Sequence, residues 1–205
     1  MSGFNVPLTG RGRNVWAVLW ILPACYFVLS WILRADGGPF WMWNIADPSY
    51  FYLFDSLNLV NLTTPGHPYH PGTTVQALGA LVLKAAYLTS SGEEITRAVL
   101  ADPESHLRLI STVIILLNTL ALLLSGAVAY AVTRHPVLAL VMQLGPFLSM
   151  VTLKTAYHVK PEPLLIFTML VLGMVTLLAL APGALEKHRW RFAVVFGLIA
   201  GFGVA

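Results

Sequence analysis

Hydrophobic residues make up 57% of the 205-residue chain and charged residues only 10%, against about 25% charged in an ordinary soluble domain. No globule of this size can hide that much apolar surface from water, so the mean hydropathy of +0.75 points to lipid as the solvent and to an all-α polytopic membrane bundle. The net charge of +3 reads as loop charge that sets orientation, not as a nucleic-acid surface, and a single cysteine, Cys25, excludes an internal disulfide and a cysteine-based metal site.

Residues 14–33, 109–133, 135–153 and 163–185 carry no Asp, Glu, Lys or Arg. A helix needs about 20 apolar residues to cross the hydrocarbon, which predicts spans over 15–33, 109–132, 136–153 and 163–181. Proline and glycine at His135-Pro136, Lys160-Pro161-Glu162-Pro163 and Ala181-Pro182-Gly183 mark the joints. The first span follows Arg11 and Arg13; its apolar run continues well past Cys25, too far for a cleaved signal peptide. It reads as a signal anchor with the N-terminus cytoplasmic.

Between the first two spans lies the stretch 34–108. Trp41, Trp43, Tyr50 and Tyr52 suit the headgroup layer. Asp47-Pro48 reads as a helix start, with Tyr50, Phe51, Leu53, Phe54, Leu57 and Val60 as the apolar face of a helix on the membrane surface up to about Asn61. A turn-rich run, Pro65 to Gly72, holds His67 and His70. Residues 73–89 contain Lys84 and suit either a short span or an interfacial helix. The non-spanning arrangement leaves Arg11, Arg13 and the cluster Lys187, Arg189, Arg191 on the cytoplasmic side, as the positive-inside rule prefers. On that reading 34–108 is one long external loop, and a third short helix follows Ser91-Gly92-Glu93-Glu94.

The final stretch, 192–205, gives only about 21 Å of helix. It reads as an incomplete crossing, and the chain as a single transmembrane module at the N-terminal part of a longer protein.

The ionisable residues that this topology places on one face are Asp47, Asp55, His67, His70, Lys160 and Glu162. Asp47 is a candidate general base with Asp55 in support; equally, it caps a helix that Asp55 solvates. His67 and His70, three apart around a proline, suit metal or phosphate contact, or no ligand at all, since two histidines alone are a weak metal signal. The hairpin His158, Lys160, Glu162 carries charge close to the membrane, and Lys154 snorkels to the same surface or meets a carboxylate. Asn118, Ser125 and Gln143 inside spans read as packing polars.

On these residues the chain resembles the GT-C glycosyltransferases, in the branch of the protein O-mannosyltransferases and the lipid A aminoarabinose transferases. The resemblance lies in Asp47-Pro48-Ser49-Tyr50-Phe51-Tyr52, an acid followed by tyrosines, in His70-Pro71-Gly72 before the apolar stretch from Thr73, and in Lys160-Pro161-Glu162-Pro163-Leu164-Leu165 before the last full span. It covers about residues 15–181. A second acid after Asp47 and a lysine at the place of His70 are usual in that family; here Pro48 and His70 stand there.

The resemblance implies an inverting, hexosyltransferase-like enzyme that moves a sugar from a polyprenyl-phosphate-linked donor to a protein, lipid or glycan acceptor on the external face. Asp47 and Glu162 would be catalytic; Lys160, His70, His67, Asp55 and Tyr50 would bind substrate or phosphate. A divalent cation is compatible with it but not required. The bilayer is the other partner, the plasma (inner) membrane in a bacterium. Two readings compete: a non-catalytic membrane scaffold, and a transporter or flippase subunit, which calls for ionisable residues deep in spans and broken helices in matched halves.

Overall fold

The computed structural model describes residues 10–42, 49–66 and 72–204, and these form helices joined by short connections, with no strand among them. Asp47, His67 and His70 lie outside the described residues. The helices are α1 (Gly10–Asp36), α2 (Ser49–Val60), α3 (Thr73–Ala86), α4 (Gly92–Ala101), α5 (Pro103–Thr133), α6 (Pro136–Leu144), α7 (Met150–Thr155), α8 (Pro161–Ala179) and α9 (Ala184–Val204). Three stretches are long and apolar enough to cross a membrane: Val15–Asp36, Pro103–Thr133 and Pro161–Ala179. They suggest a membrane protein, and large apolar side chains such as Trp20, Ile21, Ile32, Leu120 and Met169 stand exposed along them, as a lipid solvent permits.

The ends of these helices follow local chemistry. α1 stops at Gly37-Gly38, where Gly38 takes the left-handed φ of 70° that a side chain disfavours. α5 begins at Pro103 behind Asp102, whose side chain accepts from the Ser105 N–H at 3.2 Å, and α8 begins at Pro161. Proline at the first turn gives up an N–H that had no helical partner anyway. α4 opens with a reciprocal cap: Ser91 Oγ accepts from Glu94 N at 3.3 Å while Ser91 N donates to Glu94 Oε2 at 2.8 Å.

α1, α5 and α8 run side by side, with α1 and α8 packed on α5. At one end, called the loop end below, residues 34–40, 104–111 and 156–163 meet. Phe40 N donates to Glu104 Oε2 at 3.1 Å, Ser111 Oγ donates to Tyr157 O at 2.5 Å, and Asn118 Nδ2 donates to Pro163 O at 3.0 Å. At the opposite end Val15, Trp16 and Leu19 pack with Ala129, Tyr130, Ala139 and Leu177. Arg134 follows α5 at that end, and Lys187, Arg189 and Arg191 follow α8.

The α2–α4 segment caps the loop end. Its core is one cluster: Leu53, Leu57, Val60, Val75, Leu83, Ile95 and Val99 bury against Leu107, Ile110, Val159 and Leu164. Both ends of α3 are held at this level. Gly72 lies against the Tyr52 ring and Pro161, and at the other end the Tyr87 hydroxyl meets His106 Nε2 at 2.9 Å. His106 Nδ1 sits 2.7 Å from Asp102 O; a carbonyl only accepts, so Nδ1 carries the proton and Nε2 accepts from Tyr87. α3 therefore lies across the bundle end and does not run its length.

One predicted span differs. The stretch 136–153 is not a continuous helix: α6 ends at Leu144, a 3-10 turn occupies Gly145–Leu148, and α7 starts after Ser149, whose backbone is extended (φ −131°, ψ 121°). Pro146 supplies no N–H to the ladder and Gly145 weakens it, so the break falls between them and Ser149. Above it, Gln143 Nε2 donates to Leu19 O and Leu122 O, each at 3.0 Å, tying α6 to α1 and α5. After α8, α9 doubles back with a kink at His188 (φ −131°), and Phe202 meets Phe167 edge-on at 6.3 Å.

Candidate functional site

The loop end collects the polar chemistry of the chain. Glu104, in the first turn of α5, joins it together: Oε1 accepts from the Tyr50 hydroxyl at 2.7 Å and Oε2 from Phe40 N at 3.1 Å. Burial, and then the bond and charge of Glu104, push the Tyr50 phenol up to about 12. Tyr50 is therefore a proton donor fixed on a carboxylate, and its hydroxyl holds α2 to α5.

Asp55, on α2, is buried and engaged on both oxygens: Oδ1 accepts from Gly66 N at 2.7 Å and Oδ2 from Gln76 Nε2 at 3.0 Å. A burial without such partners would cost several kcal/mol. Here the carboxylate ties the loop after α2 to α3, a positioning role in the scaffold around the site.

The hairpin between α7 and α8 brings cations. Lys160 is buried to 5% exposure at the N-cap of α8 and makes no ion pair among the described residues. His158, also buried, stacks on the Tyr157 ring at 4.5 Å and meets Phe40 edge-on at 6.4 Å. Burial first, then the charges of Lys160 and Arg34, push its imidazole down to about 4. It is neutral at physiological pH, a buried polar ring amid positive charge. Arg34, at the end of α1, lies with its guanidinium 4.0 Å above the Phe40 ring and donates to Gly38 O at 2.5 Å.

Glu162 is exposed, unlike Lys160 two residues earlier, and no ion pair joins the two among the described residues. At the start of α8 the backbone sends the Lys160 side chain inward and the Glu162 side chain outward. Glu162 instead edges a cavity of about 570 Å³ between the broken α6–α7 segment and α8, with Thr152, Thr155, Leu165, Ile166 and Met169 in its walls. That volume is in the range of small-molecule sites, and apart from Glu162 and two threonines the walls are mostly apolar.

The structure thus gathers Tyr50, Asp55, Lys160 and Glu162 at one end of the bundle. Sequence reasoning passed over Glu104, and took Arg34 and Arg108 only as the borders of spans. The signal for them was their position: two arginines and a glutamate bracket the same long connection, each within a turn or two of an apolar span. Among the described residues no three His, Cys, Asp or Glu side chains gather as a metal site, so these residues supply no ligand set for the divalent cation that the resemblance allows. Compared with known proteins, the chain matches no family model, no curated protein and no solved structure.

Proposed function

We propose that the chain acts in a multi-pass membrane glycosyltransferase, in the plasma (inner) membrane if the source is bacterial, that transfers a sugar from a polyprenyl-phosphate-linked donor to an acceptor on the external face. The observation that carries this reading is that two basic side chains, Lys160 and Arg34, come together at the loop end with no ion pair to a carboxylate among the described residues. Lys160 and Arg34 flank His158, while the nearby carboxylates of Asp55 and Glu104 are already engaged with protein donors. Such a cluster at a membrane boundary is suited to a departing phosphate, whose charge grows in the transition state.

The apolar cavity beside α8 suits a prenyl chain, with Glu162 at its edge to orient the acceptor. Asp47 remains the candidate base on the sequence pattern; it would take the acceptor proton as the acceptor attacks the anomeric carbon, a contribution of about 10²–10⁴-fold. The test is sugar release from a polyprenyl-phosphate-sugar by the full-length protein and by Asp47→Asn and Lys160→Met. Both variants should lose transfer by about 10² or more, with Lys160→Met losing it in kcat. Transfer at the parent rate in both would overturn the reading.

One observation favours a second reading, transport of a lipid or small solute. The α6–α7 break at Gly145–Ser149 is the kind of discontinuity that lines substrate paths. Against it, among the described residues neither α1, α5 nor α8 is interrupted to match.

A further inference from the structure

At the loop end α1 and α5 leave a second opening, about 360 Å³ in volume, lined by Trp31, Arg34, Gly38, Arg108, Thr112 and Ile115. It holds two guanidinium groups and no carboxylate. Arg34 and Arg108 are close enough for their like charges to repel, yet neither forms an ion pair among the described residues, and Arg34 Nε is buried with no hydrogen-bond partner. Glu104 and Asp102 lie within electrostatic reach of Arg34 and Arg108, but Glu104 is engaged with Tyr50 and Phe40 and Asp102 caps α5 at Ser105, so the two guanidinium groups face one opening that suits an anion. A guanidinium fork fits two oxygens of a phosphate at once.

The anion's other half is legible in the same walls. Trp31 is shared with a shallow hollow of about 210 Å³ whose other lining residues are Phe27, Val28 and Ile32. This hollow lies one to two turns deeper along α1 than Arg34, away from the loop end. Trp31 and Ile32 are 52% and 55% exposed, so it is open on the face that a bilayer would cover. Charge at the membrane boundary with an apolar track leading inward is the profile of a lipid.

We propose that the α1–α5 groove is a binding site for the phosphate headgroup of an anionic membrane lipid, held between Arg34 and Arg108 with its chain along Phe27, Val28, Trp31 and Ile32. The site shares Arg34 with the glycosyl-transfer reading, so the test turns on Arg108, which that reading does not use; lipid binding there requires no reaction. Its function is to fix the tilt of α1 against α5 and to anchor the loop end at headgroup depth.

Native mass spectrometry of the detergent-solubilised full chain tests it, with added phosphatidylglycerol, polyprenyl phosphate, diacylglycerol of matched chains, and inorganic phosphate. Arg108→Gln is the primary variant, because the Arg108 side chain is exposed and makes no hydrogen bond or ion pair among the described residues; Arg108→Lys and Lys187→Gln are its companions. Phosphatidylglycerol should bind at least tenfold more tightly than diacylglycerol, and Arg108→Gln should weaken it about five- to tenfold. Arg108→Lys should recover part of that, and Lys187→Gln should leave it unchanged. Retention of polyprenyl phosphate alone would assign the same phosphate site to that lipid. Equal binding of diacylglycerol, competition by inorganic phosphate at the lipid's own concentration, or unchanged binding in Arg108→Gln would each overturn the proposal. Circular dichroism of Arg108→Gln should match the parent, so that a loss of binding reports the site and not the fold.

Discussion

Single residues at the loop end divide into those that hold the scaffold and those left with charge to spend. Asp55 belongs to the first group. Asp55→Ala strands the Gly66 N–H and the Gln76 amide in a buried setting and should cost about 1–3 kcal/mol, read as a lower thermal midpoint in detergent. Asp55→Asn keeps an oxygen for Gly66 and should cost less. A midpoint unchanged by Asp55→Ala would remove it from the scaffold. His158 gives a pH signature. Its folded pKa of about 4 lies below the ordinary 6.5, so the folded state favours the neutral ring. That stability is complete above pH 6.5 and is lost as pH falls toward 4, because protonation would bury a charge and set it beside Lys160 and Arg34. The parent should therefore lose more thermal stability between pH 7 and pH 4.5 than His158→Phe does. Equal losses would show that the ring titrates normally.

Among the elements, close contact between α2 and α3 sets the geometry under the site. Gly79 faces Ser56 of α2 and Ile110 of α5, and a Cβ there would run into the Ser56 side chain. Gly79→Val should push the two helices apart at about 1–3 kcal/mol, with helix content retained and the thermal midpoint lowered; a midpoint equal to the parent's would mean that α3 is loosely seated. How far these elements were legible depended on the kind of force involved. The charge-free windows predicted 15–33 and 163–181, and the structure gives Gly10–Asp36 and Pro161–Ala179, because spans end where charge, proline and glycine end them. The window 136–153 hid its break: apolarity is continuous there, and the cue was the dipeptide Gly145-Pro146, which local hydropathy ignores. The bonds of Glu104 to Tyr50 and Phe40 join positions 54 and 64 residues apart. No periodicity encodes them, and the pairing of Arg34 with Arg108 likewise exists only because α1 packs on α5.

For the molecule as a whole, the central claim is one of sidedness. The described residues of 34–42, 49–66 and 72–108 and the hairpin 156–162 share one end of the three long helices, while Arg134, Lys187, Arg189 and Arg191 sit at the other. Everything said of the site requires that the loop end face one side of the bilayer as a unit. The most direct measurement is labelling of single cysteines by a membrane-impermeant maleimide, in a Cys25→Ser background, at Leu88→Cys and Lys187→Cys. Leu88 is 85% exposed just after α3, and Lys187 is exposed in the first turns of α9. Leu88→Cys should react in intact cells and Lys187→Cys only after the membrane is opened. Reaction of both from the same side would contradict the account.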